Sequence, residues 1–296
     1  MQAAATISSR AGRGAARGTC GELAQGVLPG GRRFHVTCPI EVGAEIAVRL
    51  TTAPRTSVVG LPDWATTTGR AVRVAAEFLE LGPVLIEVER TSGLHRAKGM
   101  ASSTADVIAA ATAVAAAAGL ELDPPTLAQL ATSVEASDGV MYPGVVALDQ
   151  HDGSLLHDWS WTPRFTIATF IPVEDRITAE VRFDRQASMA GEYGSLLTEL
   201  DAAMHAHDAV AVGAISTRSA ELNEAFVANP LLPHLRSAVT DFGAVGLCVG
   251  HSGTVCGLLF APDSEGAAGE LAREAVSRLL PTLPPGTEAL VTRMAA

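Results

Sequence analysis

Apolar residues recur along this chain with two periods. Ile46, Val48 and Leu50 alternate with other residues inside a strand-like run from Phe34 to Leu50, bounded by Gly43 and by Thr51 and Thr52. Val84, Ile86 and Val88 alternate with Leu85, Glu87 and Glu89, which predicts a strand over Val84 to Arg90. Between them, Val72, Ala75, Ala76 and Leu79 share one helical stripe, so Thr68 to Leu81 reads as a helix ended by Gly82 and Pro83. An Ala-rich helix follows from about Ser103 to Ala118, closed by Gly119, and a further helix starts at Pro124 and Pro125 and runs to about Ala136. Val145 to Leu148 and Leu155 to Trp159 read as strands joined by a turn over Gln150 to Gly153.

Beyond Thr162 and Pro163, Phe165 to Pro172 reads as a strand and Ala187 to Ala214 as an interrupted helix. Ser216 to Phe226 and Leu231 to Phe242 are further helical stretches. Ala244 to Phe260 is β-rich and punctuated by glycine, Glu265 to Leu280 is a helix, and Thr287 to Arg293 is a last strand. No repeat or heptad is present. Strands and helices alternate irregularly, which favours an α+β fold over a doubly wound sheet. The expected organisation is a disordered tail over 1–16, an N-terminal domain over 17–161 and a C-terminal domain over 162–296.

The chain is 296 residues long with a formal net charge of -11, which argues against a nucleic-acid partner. The longest apolar run, Val107 to Ala118, is shorter than the roughly 18 residues needed to cross a bilayer. Residues 1–18 carry Arg10, Arg13 and Arg17 but no apolar core of a secretory signal, and the expected location is the cytoplasm. Cys20, Cys38, Cys248 and Cys256 form no metal-site spacing and read as reduced thiols. Of the 21 Lys and Arg residues, Lys98 is the sole lysine. A lysine is a compact point charge, whereas an arginine is a wide fork.

Four segments carry candidate chemistry. Lys98, Gly99, Met100, Ala101, Ser102, Ser103, Thr104, Ala105 and Asp106 form a small-residue loop that opens a helix. Free N–H groups at that helix start, with Lys98 beside them, suit a phosphate; an ordinary Ser-capped helix is the competing reading. Glu135 and Asp138 stand three apart at a helix end and could face one site, holding Mg²⁺ and a substrate hydroxyl, or form a solvated last turn. Glycines at 246, 250, 253 and 257 frame a tight loop. Within it, Gly250-His251-Ser252-Gly253-Thr254 approaches the nucleophile elbow of a serine hydrolase at Ser252, without its last glycine. Gly18 to Gly26 is a Gly-framed polar loop with one acid, Glu22; Cys20 as a nucleophile with His35 as base is an alternative there.

Together these segments resemble the GHMP kinases. Lys98 to Asp106 resembles their second motif, usually P-x-x-x-G-L-G-S-S-A, with Met100, Ala101 and His95 in place of Leu, Gly and Pro. Gly246 to Gly257 resembles the Gly-rich third motif, and Gly18 to Gly26 sits where the first motif sits. Thr19-Cys20-Gly21-Glu22-Leu23-Ala24-Gln25-Gly26 and the Lys98 to Asp106 string are most similar to the L-threonine kinase branch of cobalamin synthesis. The resemblance implies a ribosomal-S5-like domain followed by a ferredoxin-like domain, with the site in the cleft between them. It implies an ATP- and Mg²⁺-dependent kinase of L-threonine or a related hydroxy-amino acid, with homoserine or another small alcohol as alternatives. Lys98, Gly99, Met100, Ala101, Ser102, Ser103 and Thr104 would wrap the ATP phosphates, and Ser103 and Glu135 would hold the metal. Asp138 would be the base and Lys98 would offset developing charge. Thr19, Cys20, Gly21, Glu22, Gln25, His35, His251, Ser252 and Gly253 would contact the substrate. Dimers are common in the superfamily, so a homodimer is among the expectations.

Overall fold

A computed structural model describes residues 9–176, 183–262 and 266–296. One continuous sheet runs through it in the order β10-β7-β9-β8-β1-β2-β4-β3. Its spine is a long antiparallel pair, β1 (Arg10–Val27) and β2 (Arg33–Thr52), which runs from Arg10 opposite Leu50 to Val27 opposite Arg33 with register shifts between Arg17 and Ala24. β3 (Ser57–Val59) and β4 (Val84–Ser92) extend one edge. β5 (Val145–Leu148) pairs with the start of β2 and with β6 (Leu155–Trp159). Helices α1 (Thr66–Phe78), α2 (Ser102–Ala118) and α3 (Pro124–Val134) form one layer, in which α2 packs on β1, β2, α1 and α3.

The second half continues the same sheet. β7 (Thr166–Ile171), α4 (Ala190–His205), α5 (Ala209–Glu224), β8 (Gly246–Val249), β9 (Cys256–Phe260), α8 (Ala267–Leu279) and β10 (Glu288–Arg293) follow in chain order, with the short α6 (Leu232–Leu235) and α7 (Ala238–Asp241) between α5 and β8. The antiparallel order β10-β7-β9-β8 is that of a split βαβ, ferredoxin-like unit. The halves meet where Glu22 on β1 pairs with Val249 on β8. The architecture is therefore α+β with two fused units, as the alternation of elements led us to expect. The expected helices over 187–214 and 216–226 are instead a 3₁₀ turn (Phe183–Met189), α4, and an α5 that Asp208 caps by accepting from Ala211 N–H. Residues 1–8 of the expected tail and Glu265 of the expected last helix lie outside the described residues.

The expectation of a tail through residue 16 is corrected from Arg10 onward, where β1 begins. Exposed Ala11, Arg13, Ala15 and Arg17 alternate with inward Gly12, Gly14, Ala16 and Gly18. A Cβ on Gly12 would stand 2.3 Å from Ala113 O, and one on Gly14 would stand 2.2 Å from Ala109 O. The glycine face of β1 thus lets the Ala-rich α2 lie backbone-close on the strand. Neither element shows a conventional apolar stripe, because each buries the other with small residues.

Candidate active site

Three of the four chemistry-bearing segments converge at Gly99. Thr19 N–H donates to Met100 O at 3.1 Å and Gly21 N–H to Gly99 O at 3.2 Å. Thr254 and Val255 N–H groups donate to Lys98 O at 2.9 and 2.8 Å. A Cβ on Gly253 would lie 2.4 Å from both the N and Cα of Gly99, so only glycine permits this backbone contact. Gly99 has φ +81° and Ala101 φ +53°, which turn the loop sharply into α2. No side chain caps α2, against the competing reading of an ordinary Ser-capped helix, and the helix start keeps its backbone N–H groups for another acceptor.

The fourth segment closes the site. α3 ends at Val134, earlier than expected, and Glu135 adopts extended backbone, φ -161° and ψ 168°. The chain then turns so that Asp138 reaches α2, where Thr104 Oγ1 donates to Asp138 Oδ2 at 3.1 Å and Asp138 N–H donates to Thr104 Oγ1 at 3.3 Å. Asp138 Oδ1 lies 2.8 Å from His35 Nε2, off the ring's N–H direction, a contact that is an ion pair when His35 is protonated. Burial pushes the Asp138 carboxyl up, but His35 and then Thr104 outweigh it and hold it below the ordinary carboxylate range. Burial likewise pulls the His35 imidazole down, and the Asp138 carboxylate, Glu22 and Gln150 outweigh it, leaving a net upward shift. Glu135 sits against the Ser103 hydroxyl, and burial raises its carboxyl above the ordinary range. Glu22, His35 and Asp138 each bring a ligand-capable atom within 4.8 Å of the others, the one such cluster among the described residues.

The remaining expected residues divide into those that face this acid and those that support it. Glu22 is 3% exposed; its Oε2 accepts from His251 N–H at 2.6 Å and lies 2.9 Å from His251 Nδ1. His251 is fully buried and its Nε2 meets Ser219 Oγ at 2.9 Å. Glu22 is therefore an anchor rather than an open substrate carboxylate. Cys20 is in the core, with Thr169 Oγ1 donating to its sulfur at 3.4 Å; contact with the Cys248 thiol and then burial push its thiol well above the ordinary range. That corrects both its expected substrate contact and the nucleophile alternative. Met100 is likewise core, and Thr19 Oγ1 donates to Gly99 O at 3.4 Å.

Lys98 departs most from expectation. Its ammonium is buried and donates to Val173 O at 2.6 Å and Glu174 O at 2.9 Å, with Asp175 Oδ1 at 2.7 Å. All three protons of the ammonium thereby have acceptors within residues 173–175. The elbow reading at Ser252 also fails on context, since an elbow runs from strand into helix and this loop runs from β8 into β9. Sequence reasoning missed Thr37 and Gln150. Thr37 shares a face of β2 with His35, two residues away, and its hydroxyl lies 3.6 Å from the Cβ position of Gly139. Thr37 Oγ1 and Gln25 Oε1 are buried polar atoms with no partner. Among the described residues no helix is long and apolar enough to cross a membrane.

Comparisons with known proteins agree with this layout. The family model for the GHMP kinases N terminal domain matches residues 68–145, and the model for GHMP kinases C terminal matches 200–281. An L-threonine kinase of Salmonella typhimurium is 30% identical over 247 residues, 81% of this chain and 80% of the relative. An L-threonine kinase of Citrobacter freundii is 29% identical over 248 residues, 81% of this chain and 83% of the relative. The crystal structure of a homoserine kinase from Cytophaga hutchinsonii superposes with a TM-score of 0.70 at 17% identity, covering 97% of this chain and 96% of that one, which shows the fold. With both halves matched by family models and a relative aligned over four fifths of its length, the chain belongs to the GHMP kinase family.

Proposed function

We propose that the chain transfers the γ-phosphoryl group of ATP to the side-chain hydroxyl of L-threonine, giving O-phospho-L-threonine and ADP. The observation that carries this reading is the Asp138 carboxylate, ionised between His35 and Thr104, one helix turn from the uncapped start of α2. In this reading the phosphates lie on the N–H groups of the Gly99 to Thr104 turn, where the helix dipole favours negative charge. The substrate hydroxyl oxygen bonds to the γ-phosphorus as the bond to the β-phosphate oxygen breaks. ADP leaves with that electron pair, and Asp138 receives or orients the hydroxyl proton.

Ser103 and Glu135 side chains are adjacent, which fits the oxygen donor set of Mg²⁺. When bound, that ion would neutralise phosphate charge. The choice of threonine rests on the two L-threonine kinase relatives. The unpartnered Gln25 Oε1 and Thr37 Oγ1 support a small polar acceptor near Asp138, since buried polar atoms need partners. Because Lys98 is fully engaged, we assign it to holding the loop, not to the phosphates. We place the boundary between the two units at 161/162, within the loop between β6 and β7.

The test is ADP release over L-threonine, L-serine, L-homoserine and no acceptor, with ³¹P NMR of the product. The expected result is the highest kcat/KM for L-threonine and a phosphomonoester product. Acceptor-independent ADP release, or a preference for homoserine, overturns the assignment.

A further inference from the structure

Asp138 belongs to a buried polar chain that spans the molecule. Ser219 on α5 meets His251 at 2.9 Å, His251 meets Glu22 at 2.9 Å, Glu22 lies 3.7 Å from His35, and His35 lies 2.8 Å from Asp138. Thr104 on α2 ends it at 3.1 Å. Ser219, His251 and Glu22 have the spacing of a nucleophile triad. Ser219 is fully buried, however, and its Oγ also accepts from Gln25 N–H at 3.3 Å, so it cannot meet a substrate. The chain is a support that leads to Asp138.

Glu22 enters this chain through the irregular register of β1. The β1–β2 pairing shifts between Thr19 and Glu22 and again between Glu22 and Ala24, and such bulges re-aim side chains. Glu22 is then fixed from the opposite unit by two contacts from His251 to one oxygen. Its other oxygen faces His35, a residue paired across the strands with Gln25. His35 thus stands between two carboxylates, with the side chains of both acids at most 19% exposed. Two carboxylates this close and this dry both stay ionised only with a cation between them; otherwise one takes up a proton.

We propose that His35 is a positioning residue of the transfer step, carrying as imidazolium the positive charge that keeps Asp138 an anion turned toward the acceptor hydroxyl. This rests on the kinase reading for its consequence, but the charge state of His35 can be tested without turnover. The groups that face His35 are Glu22 from β1, Asp138 from the loop after α3 and Gln150 from the turn between β5 and β6. His251 stands behind Glu22. The upward shift of His35 and the downward shift of Asp138 have the signs this pairing requires. The role differs from substrate binding: removing a group that binds the acceptor raises KM, whereas removing a positioning charge lowers kcat and changes its pH dependence.

The experiment has two arms. In the first, ¹⁵N NMR follows the His35 ring in the full wild-type chain, assigned by its loss in whichever of His35→Gln and His35→Lys folds. His35 is expected to titrate above the ordinary imidazole value, and Asp138→Asn should move its titration down by about one pH unit. A wild-type His35 that titrates at or below the ordinary imidazole value overturns the proposal. In the second arm, His35→Gln should lose about 10- to 100-fold in kcat while KM for the acceptor changes less than about threefold. The acid limb of its kcat profile should rise by about one pH unit, because Asp138 without its cation protonates more readily. His35→Lys, which restores a cation, should bring the limb back. A folded His35→Gln enzyme with an unmoved acid limb also overturns the proposal. If that variant fails to fold, or no hydroxyl compound is turned over, the wild-type NMR arm still decides the charge of His35.

Discussion

Lys98 and His35 are both basic, both buried, and adjacent to motif segments, yet their partners differ in kind. The Lys98 ammonium is surrounded by two backbone carbonyls and the exposed Asp175, so every proton it can donate holds the segment 173–175 against the Gly99 turn. Arg176 reinforces the same seam, with its backbone N–H on Ala97 O and its guanidinium on Gly253 O and Ala228 O. His35 has carboxylates for partners, and one of them retains an exposed fraction. A buried cation on carbonyls fixes backbone. A buried base between acids sets charge. Burial and residue type alone do not separate the two roles; the acceptors do.

Replacing Lys98 is the larger perturbation of this contrast. Lys98→Ala takes the ammonium from Val173 O, at roughly 1–3 kcal/mol, while Glu174 O keeps the Thr254 hydroxyl as donor. Asp175 is exposed and adds little. Urea unfolding should therefore show a loss of about 1–3 kcal/mol, while the acid limb of the kcat profile stays where it is. Lys98→Arg keeps the charge but forces a wider group into a site shaped for an ammonium, and should cost about 1–2 kcal/mol. A Lys98→Ala protein of wild-type stability that lost only the phosphoryl transfer would return the lysine to the chemistry.

The pH dependence of stability gives a smaller effect, on the order of 1 kcal/mol. The raised His35 contributes stability that is fully present below its unfolded value near 6.5 and is lost as pH rises through the folded value. The lowered Asp138 contributes stability that is present above its unfolded value near 3.8 and is lost as pH falls through the folded value. The stability advantage of the wild type over His35→Gln should therefore be greatest between about pH 4 and 6.5 and shrink on both sides. An advantage that is flat with pH contradicts the ion pair.

Much of the fold was legible because it follows ordinary periods. β4, α1 and the strands of the glycine-rich third segment are where alternation and stripes predict them. The first half of β1 was not, because its inward face is glycine and its partner helix is alanine, so no hydrophobic contrast marks either. In the site, Ser103, Glu135 and Asp138 could be found because motif strings name them. His35 was visible only as a candidate contact and Thr37 not at all. Their role depends on a strand register that brings β2 under a loop about a hundred residues later, and local sequence carries no trace of that. Lys98 misled for a related reason: its charge suits a phosphate, and only the fold shows that carbonyls 75 residues away have claimed it.

The central claim is that Asp138 serves the acceptor hydroxyl. The direct measurement is kcat for Asp138→Asn against wild type with ATP and L-threonine, with thermal unfolding run on both proteins. The account predicts a 10²- to 10⁴-fold loss of kcat, about 3–5 kcal/mol, in a protein that still unfolds cooperatively. A folded Asp138→Asn enzyme that turns over within a few-fold of wild type would contradict it.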